Sequence, residues 1–458
     1  MAPYRDLGDM NMPGVYMIEW AAIHTYGGGA LAWRLFDFTL MASAAVAIFV
    51  ITLPDWFAAI FAASLFILVH GRDGLGQGGQ RDLTMAVCLL VAMASLMLAT
   101  RKHQRWGFTL FGFFAGVAST IKPTAVLFGA ILLFVVAAAA RREKRKFAAK
   151  IVFASAGFLM GPLAAVLFLW HERAGRAFIN GLSGIVPYYA SLGHKPLGFL
   201  LVHSISPLIP LVMLWLLLLL LDRPKLTTER VLLFCGVAFG LISYIVQARG
   251  YPYYRYPLLA FLLPLLAIDF STALKIGQSW TRCAGRPIAA LGLLFGAFLI
   301  APASIFYIRS YETHADFITS LTATLEELGG ARLSGDVQCI DSISGCGTTL
   351  YRMRLVQATG VLSDFLLFGP ETVPVVRLTR RQFLQVIHDD PPKVIVVSGW
   401  LHIDGPGGYE KLNRWPEFSE VLRAEYSLRT QWHPDRPNHW WGRRQWPDGY
   451  RVYVLRAK

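Results

Sequence analysis

Apolar runs of about 17–25 residues, long enough to cross a bilayer, recur along the first two-thirds of the chain. They lie near 34–53, 55–70, 82–100, 107–120, 123–140, 151–170, 200–221, 231–247, 255–274 and 287–308. Each reads as a helix, because hydrocarbon leaves a backbone N–H or C=O no partner outside its own segment. Two shorter runs meet at "STIKPTA", where Pro123 interrupts them, as a broken pair or one kinked span. Beyond residue 308 the pattern changes. "VQCID" (337–341), "KVIVVSGW" (393–400) and "RVYVLRA" (451–457) read as short strands rich in β-branched residues. "ADFITSLTATLEELGG" and "RRQFLQVIHDD" read as amphipathic helices. The expected fold is mainly α: a polytopic transmembrane helix bundle of about ten spans with a C-terminal soluble α/β domain. Its parts are an outer loop with an acidic motif (1–33), a transmembrane core (34–308) and an extracytoplasmic α/β domain (309–458). The last carries no Gly-rich phosphate loop, so no nucleotide is assigned to it.

Composition agrees with this reading. The chain is 55% hydrophobic and 16% charged, too apolar for a soluble protein. Residues 1–10 carry both signs of charge and lack the apolar core of a secretory signal. A net charge of +14 invites a nucleic-acid partner, but its distribution excludes one. "RKHQR" (101–105) contributes +3, "RREKRKFAAK" (141–150) +5, "DRPKLTTER" (222–230) +1 and "KIGQSWTRCAGR" (275–286) +3. The segment after residue 308 is nearly neutral, with 18 basic and 17 acidic residues. Positive charge in alternate short loops marks those loops as cytoplasmic. Residues 1–33, 71–81, 171–199, 248–254 and the C-terminal segment then lie outside. Cys88 and Cys235 fall in spans, and Cys283 in a basic loop. Cys339 and Cys346 form a disulfide if their segment meets an oxidising compartment; two free thiols are the alternative.

Candidate chemistry gathers on the outer side. Asp6 and Asp9 precede the first visible span, and Arg34 opens it. Arg81 and Asp82 stand at an outer boundary in "GQRD", and Lys122 at the outer turn of "STIKPTA". "QARGYPYYRYP" (247–257) holds Arg249, Arg255 and four tyrosines, Tyr253 among them. A charge at the centre of a membrane helix costs roughly 2.5–3.5 kcal/mol on insertion scales. Any single one of these reads as a snorkelling or interfacial residue; the set, on one face and beside carboxylates, points to a site. Several cations at that surface suit a phosphate or diphosphate whose lipid tail lies in the bilayer, with arginine donating paired hydrogen bonds. A neighbouring carboxylate could take a proton from an attacking hydroxyl. Together these describe glycosyl transfer from a lipid-phosphate sugar.

These residues resemble the GT-C superfamily of integral-membrane glycosyltransferases, in the bacterial branch similar to protein O-mannosyltransferases and the lipid A aminoarabinose and rhizobial sugar transferases. The family's first outer loop carries Tyr-Arg-Asp, a second Asp, then Lys-Pro-Pro-Gly and an aromatic residue. Tyr4, Arg5, Asp6, Asp9, Pro13, Gly14 and Tyr16 match it. "RLFD" with Arg34, "GFFAGVASTIKPTAVLFGAILL" with Lys122, and "GYPYYRYPLLAFLLPLLA" with Tyr253 and Arg255 resemble its later motifs. Asn11 and Met12 replace the family's lysine and first proline. Family members place a further span and an acidic residue before Tyr-Arg-Asp, so an upstream start is expected, or else a short form that uses Asp6 or Asp9, or an inactive one. The resemblance implies a bacterial inner-membrane, multi-pass glycosyltransferase with a polyprenyl-phosphate sugar donor. Its acceptor is a lipid, polysaccharide or protein of the envelope. Asp6 and Asp9 are the expected catalytic carboxylates, and Arg81, Lys122, Arg249 and Arg255 the expected donor-phosphate ligands. Arg5, Arg34 and Tyr253 are expected to bind substrate; no cofactor is assigned, and a divalent metal, which some superfamily members need, stays open. A transporter or flippase for a lipid-linked sugar is the rival from another class. In "HPDRPNHWWGRRQWPDGY" (433–450), Trp440, Trp441 and Trp446 beside Arg443 and Arg444 suit an interface, core packing or a sugar face. The histidines, His70 and His203 among them, read as structural.

Overall fold

Every one of the ten apolar runs folds as helix. The computed structural model describes residues 2–74, 77–102, 104–139, 144–222, 225–275, 285–310, 313–399, 408–433, 439–440, 443–444 and 449–456. The first eight helices are α1 (Pro13–Tyr26), α2 (Ala30–Thr52), α3 (Trp56–Asp73), α4 (Arg81–Lys102), α5 (Trp106–Ile121), α6 (Ala125–Ala139), α7 (Lys144–His171) and α8 (Gly175–Ser191). There follow α9 (Leu197–Ile205), α10 (Ile209–Asp222), α11 (Thr228–Gln247), α12 (Tyr256–Lys275), α13 (Gly285–Phe295) and α14 (Ala301–Ser310). Seven described helices or joined helices are long and apolar enough to cross a membrane, and α9 with α10, bent by 88°, makes an eighth. The helices α5 and α6, separated at Lys122–Thr124, are shorter apolar elements. The expected outer loop at 1–33 is corrected in one respect: residues 13–26 are helical, with Pro13 at the first turn, where a missing N–H costs nothing. At 14 residues α1 is too short to span.

Two helices run through the middle of the bundle. The membrane-length windows of α4 and α12 are 78% and 83% buried, against 22% for α7, which presents residues such as Leu159 and Trp170 outward. Contact between α5 and α7 depends on two small-xxx-small steps. Gly112 and Gly116 face Gly157 and Gly161, and a Cβ at any of the four would overlap the facing backbone. Glycine at this spacing lets two membrane helices approach to backbone distance. Lys122 is the C-cap residue of α5, so this approach sets where its side chain starts.

The opposite end of the bundle holds paired charge, part of it buried, whose partners are distant in sequence. Asp269 on α12 pairs with Arg230 on α11 and accepts from Trp215 Nε1 at 2.7 Å. Arg101 pairs with Glu229 at 2.6 Å and donates to the Val50 and Ile51 carbonyls, capping α2.

The C-terminal segment folds as α15 (Thr313–Leu328), β1 (Val337–Ile340), α16 (Cys346–Met353), α17 (Phe365–Phe368), α18 (Pro374–Asp389) and β2 (Val394–Ser398). It ends with α19 (Pro416–Glu425), β3 (Tyr426–Trp432), β4 (His439–Trp440), β5 (Arg443–Arg444) and β6 (Tyr450–Leu455). The main sheet has the order β1-β2-β6-β3, with β1 and β2 parallel and the other pairs antiparallel. Cys339 on β1 is disulfide-bonded to Cys346 at the start of α16. Cys283, Trp441 and Trp446 lie outside the described residues. The core of this unit takes in Ile185 and Tyr188 of α8, so its wall is shared with the helical part.

A Gly116→Leu substitution is expected to force α5 and α7 apart and destabilise the protein by about 1–3 kcal/mol, as overpacking does. Thermal unfolding in detergent checks this, with Gly129→Leu, where a Cβ meets nothing closer than 3.7 Å, as the mild control.

Candidate active site

The end of the bundle at Lys122 holds a continuous polar cluster. Lys122 Nζ donates to Asp82 Oδ1 and, at 2.6 Å, to Gln247 Oε1, and lies 4.5 Å over the Tyr254 ring. Helices α5, α4 and α11 thus meet at one ammonium group. Asp82 is fully buried in the first turn of α4, where a carboxylate complements the helix dipole. The Arg81 guanidinium comes within 3.8 Å of the same carboxylate. Arg81 is aimed by the loop before it: Trp33 Nε1 donates to the Gly78 carbonyl at 2.9 Å, and Gly79 N–H donates to Asp37 at 2.8 Å. Gly79 has φ +65°, and a Cβ there would overlap the Trp33 ring, so glycine is required.

Aromatic rings extend the cluster. Tyr254 packs edge-on to Tyr253, with ring centroids 4.5 Å apart, and the Arg249 guanidinium stacks 3.4 Å over the Tyr189 ring. Arg81, Lys122, Arg249 and Tyr253 are therefore brought together. Arg255 is nearby but committed: its terminal nitrogens donate to Asp73 and the Ser206 carbonyl, and it is 5% exposed. Arg34 is exposed on α2, and among the described residues no hydrogen bond or ion pair joins it to the cluster.

The N-terminal segment closes one side. Tyr4 sits in the left-handed region (φ +67°), held by its buried ring, which packs edge-on to Tyr16 and Phe178. The Asp9 carboxylate accepts from Met10 N–H at 2.7 Å, from Asn11 Nδ2 at 2.6 Å and from the Tyr16 hydroxyl. Asn11 Oδ1 accepts from Arg81, so Asp9 reaches the cluster through Asn11. Asp6 turns away from the cluster. It pairs with Arg5 at 2.9 Å and accepts from Ala2 N–H, which together hold its carboxyl well below the usual carboxylate range. The same turn docks on the C-terminal unit: Gly8 N–H donates to the Gly360 carbonyl at 3.0 Å, and a Cβ at Gly360 would overlap the Asp6 carbonyl.

Sequence reasoning left Glu19 and Gln247 out of the site. Glu19 lines a small pocket between α1, α2 and α4 with Val15, Phe36, Arg81 and Thr84. Its signal was a lone acid inside the apolar run "VYMIEWAAI". His70, which reads as structural, bonds Tyr256 at 2.7 Å and Asp37 at 2.9 Å. Among the described residues no group of three or more His, Cys, Asp or Glu side chains is arranged to hold a metal ion.

No family model matches the sequence, and no curated protein matches it. Solved structures do. ArnT from Cupriavidus metallidurans, bound to undecaprenyl phosphate, aligns over 97% of this chain and 88% of its own, with TM-score 0.56 and 11% identity. Its apo state aligns over 97% and 87%, with TM-score 0.52 and 12% identity. The chain has the ArnT fold. The apolar helices and that fold make it a multi-pass membrane protein.

Asp82→Ala is expected to leave Lys122 buried without its counter-charge and to cost about 3–5 kcal/mol, read as a fall in detergent Tm. In a Gly8→Cys, Val361→Cys background, mild oxidation is expected to link the N-terminal turn to the C-terminal unit, since the two residues form a parallel bridge. Adding Gly360→Val is expected to abolish the link on a non-reducing gel.

Proposed function

We propose that the protein is a membrane glycosyltransferase that moves a sugar from a polyprenyl-phosphate donor to an envelope acceptor at the extracytoplasmic face of the bacterial inner membrane. The observation that carries this reading is the Lys122–Asp82–Arg81 cluster at one end of a bundle whose fold is shared with a protein solved with undecaprenyl phosphate bound. Lys122 and Arg81 converge on the Asp82 carboxylate, and Arg81 also donates to Asn11, so two cationic side chains meet at one end of the bundle. Lys122 and Arg81 hold the donor phosphate and stabilise the charge it gains as the sugar leaves. Arg249 and Tyr253 form the rim. Arg255, spent on Asp73 and Ser206, positions the tyrosine turn rather than touching phosphate. The acceptor hydroxyl attacks the anomeric carbon with inversion, as in the family the sequence resembles.

Sidedness rests on two supports. The basic loops flank the Arg101 and Arg230 end of the bundle, and the Cys339–Cys346 disulfide at the other end suits an oxidising compartment. The parts of the chain are then an N-terminal segment bearing the acidic motif, a transmembrane catalytic core and an extracytoplasmic domain.

The test is transfer in proteoliposomes. With radiolabelled polyprenyl-phosphate sugars and envelope extract, the wild-type protein is expected to make a covalently labelled acceptor. Lys122→Met and Arg81→Met are expected to lower the rate by about 100-fold or more. Label that crosses the bilayer without covalent transfer would favour the flippase instead, and full activity in Lys122→Met would remove Lys122 from the site.

A further inference from the structure

We infer that Glu19, on α1, is the carboxylate that takes the proton from the acceptor hydroxyl; this rests on the glycosyl-transfer reading above. The two carboxylates that the sequence offers are poorly placed for the task. Asp6 is tied to Arg5 and Ala2 and faces the Gly360 loop of the C-terminal unit. Asp9 already accepts hydrogen bonds at both oxygens, from Met10, Asn11 and Tyr16. Among the described residues no hydrogen bond holds the Glu19 carboxylate, which opens on the pocket that it shares with Arg81 and Thr84.

Packing of α1 puts it there. A Cβ at Gly14 would overlap Thr120, two residues from Lys122, so the start of α1 lies directly against the end of α5. Glu19 follows just over one turn later and lines the pocket that Arg81 and Thr84 of α4 also line. Its charged neighbours are few. Asp9 comes from the N-terminal loop, Tyr16 from the preceding turn of α1 and Arg81 from α4; α2 and α5 give the pocket Phe36 and Ile121, and residues 151–170 of α7 contain no titratable side chain. Burial first, and Asp9 second, push the Glu19 carboxyl up to about 7 against the opposing pull of Arg81. A base with that affinity is matched to proton transfer near neutral pH.

In the step itself, the acceptor oxygen forms a bond to the anomeric carbon. The bond from that carbon to the phosphate oxygen breaks, and its electron pair stays on polyprenyl phosphate, held by Arg81 and Lys122. The hydroxyl proton passes to Glu19, which later releases it to water.

The test compares Glu19→Gln and Glu19→Asp with the wild-type protein in the transfer assay. Glu19→Gln is expected to lower kcat by about 100-fold or more with little change in donor KM, and to abolish the rise in rate through about pH 7. Glu19→Asp is expected to restore part of the rate and the pH dependence. A second readout needs no turnover. A carboxyl with a raised pKa binds its proton more tightly in the folded chain, so its contribution to stability is full below about pH 4.5 and lost as pH rises through about 7. Glu19→Gln is therefore expected to unfold at a higher temperature than wild type at about pH 8, and at the same temperature at about pH 4. Wild-type rate in Glu19→Gln, or a Glu19→Gln protein that loses both donor binding and stability at the higher pH, would overturn the assignment while leaving glycosyl transfer in place. A wild-type protein that transfers no sugar would overturn both.

Discussion

A fully buried carboxylate, Asp82, between Lys122 and Arg81 is the constraint on which the rest of the structure depends. Ionised groups are costly away from water and stay only when paired. Asp82 sits at the start of α4, Lys122 at the end of α5, and Gln247, which also accepts from Lys122, at the end of α11. The pairing therefore fixes the relative depth of three helices as well as the charge of the site. Close packing of α5 on α7 through four glycines supplies the other half of that constraint, because it fixes the helix whose C-cap is Lys122.

The helical architecture was legible because hydrocarbon imposes one solution on an apolar run, and all ten runs became helices. Lys122, Arg81 and Arg249 were legible for a related reason: charge beside an apolar run is expensive enough to need a cause. Pairing was not legible. Arg255 and Asp73 are 182 residues apart, and Arg230 and Asp269 are 39 apart, with nothing local to link them. Glu19 was missed because a single acid among apolar residues reads as a surface position until α1 is packed on α2 and α5, which brings it to the pocket lined by Arg81. In the C-terminal unit three of the four strands of the main sheet, β1, β2 and β6, were visible as β-branched runs. The edge strand β3, "YSLRTQW", was not, because it is largely exposed and carries few of them.

The C-terminal unit also proved less separate than its composition implies. The change from apolar to mixed sequence near residue 309 marks a change of environment, yet the hydrophobic core beyond it includes α8, and its loop at Gly360 receives the N-terminal turn backbone to backbone. Tyr188 reaches toward the Phe365 carbonyl while the adjacent Tyr189 packs on both Phe365 and Arg249. One short helix thus connects the C-terminal unit to the cationic cluster, and the N-terminal turn makes a second connection. On the functional reading proposed above, the C-terminal unit holds the acidic segment in place as well as contributing to any acceptor surface.

The central claim is that the cationic end at Lys122 receives the headgroup of a polyprenyl phosphate. A cryo-electron microscopy structure of the full chain in nanodiscs with polyprenyl phosphate measures this directly. Phosphate density within about 3 Å of Lys122 Nζ and the Arg81 guanidinium is expected, the distance of a charge-assisted hydrogen bond. Density at the Arg101 and Arg230 end of the bundle, with the Lys122–Asp82 pair unchanged and unapproached, would contradict it.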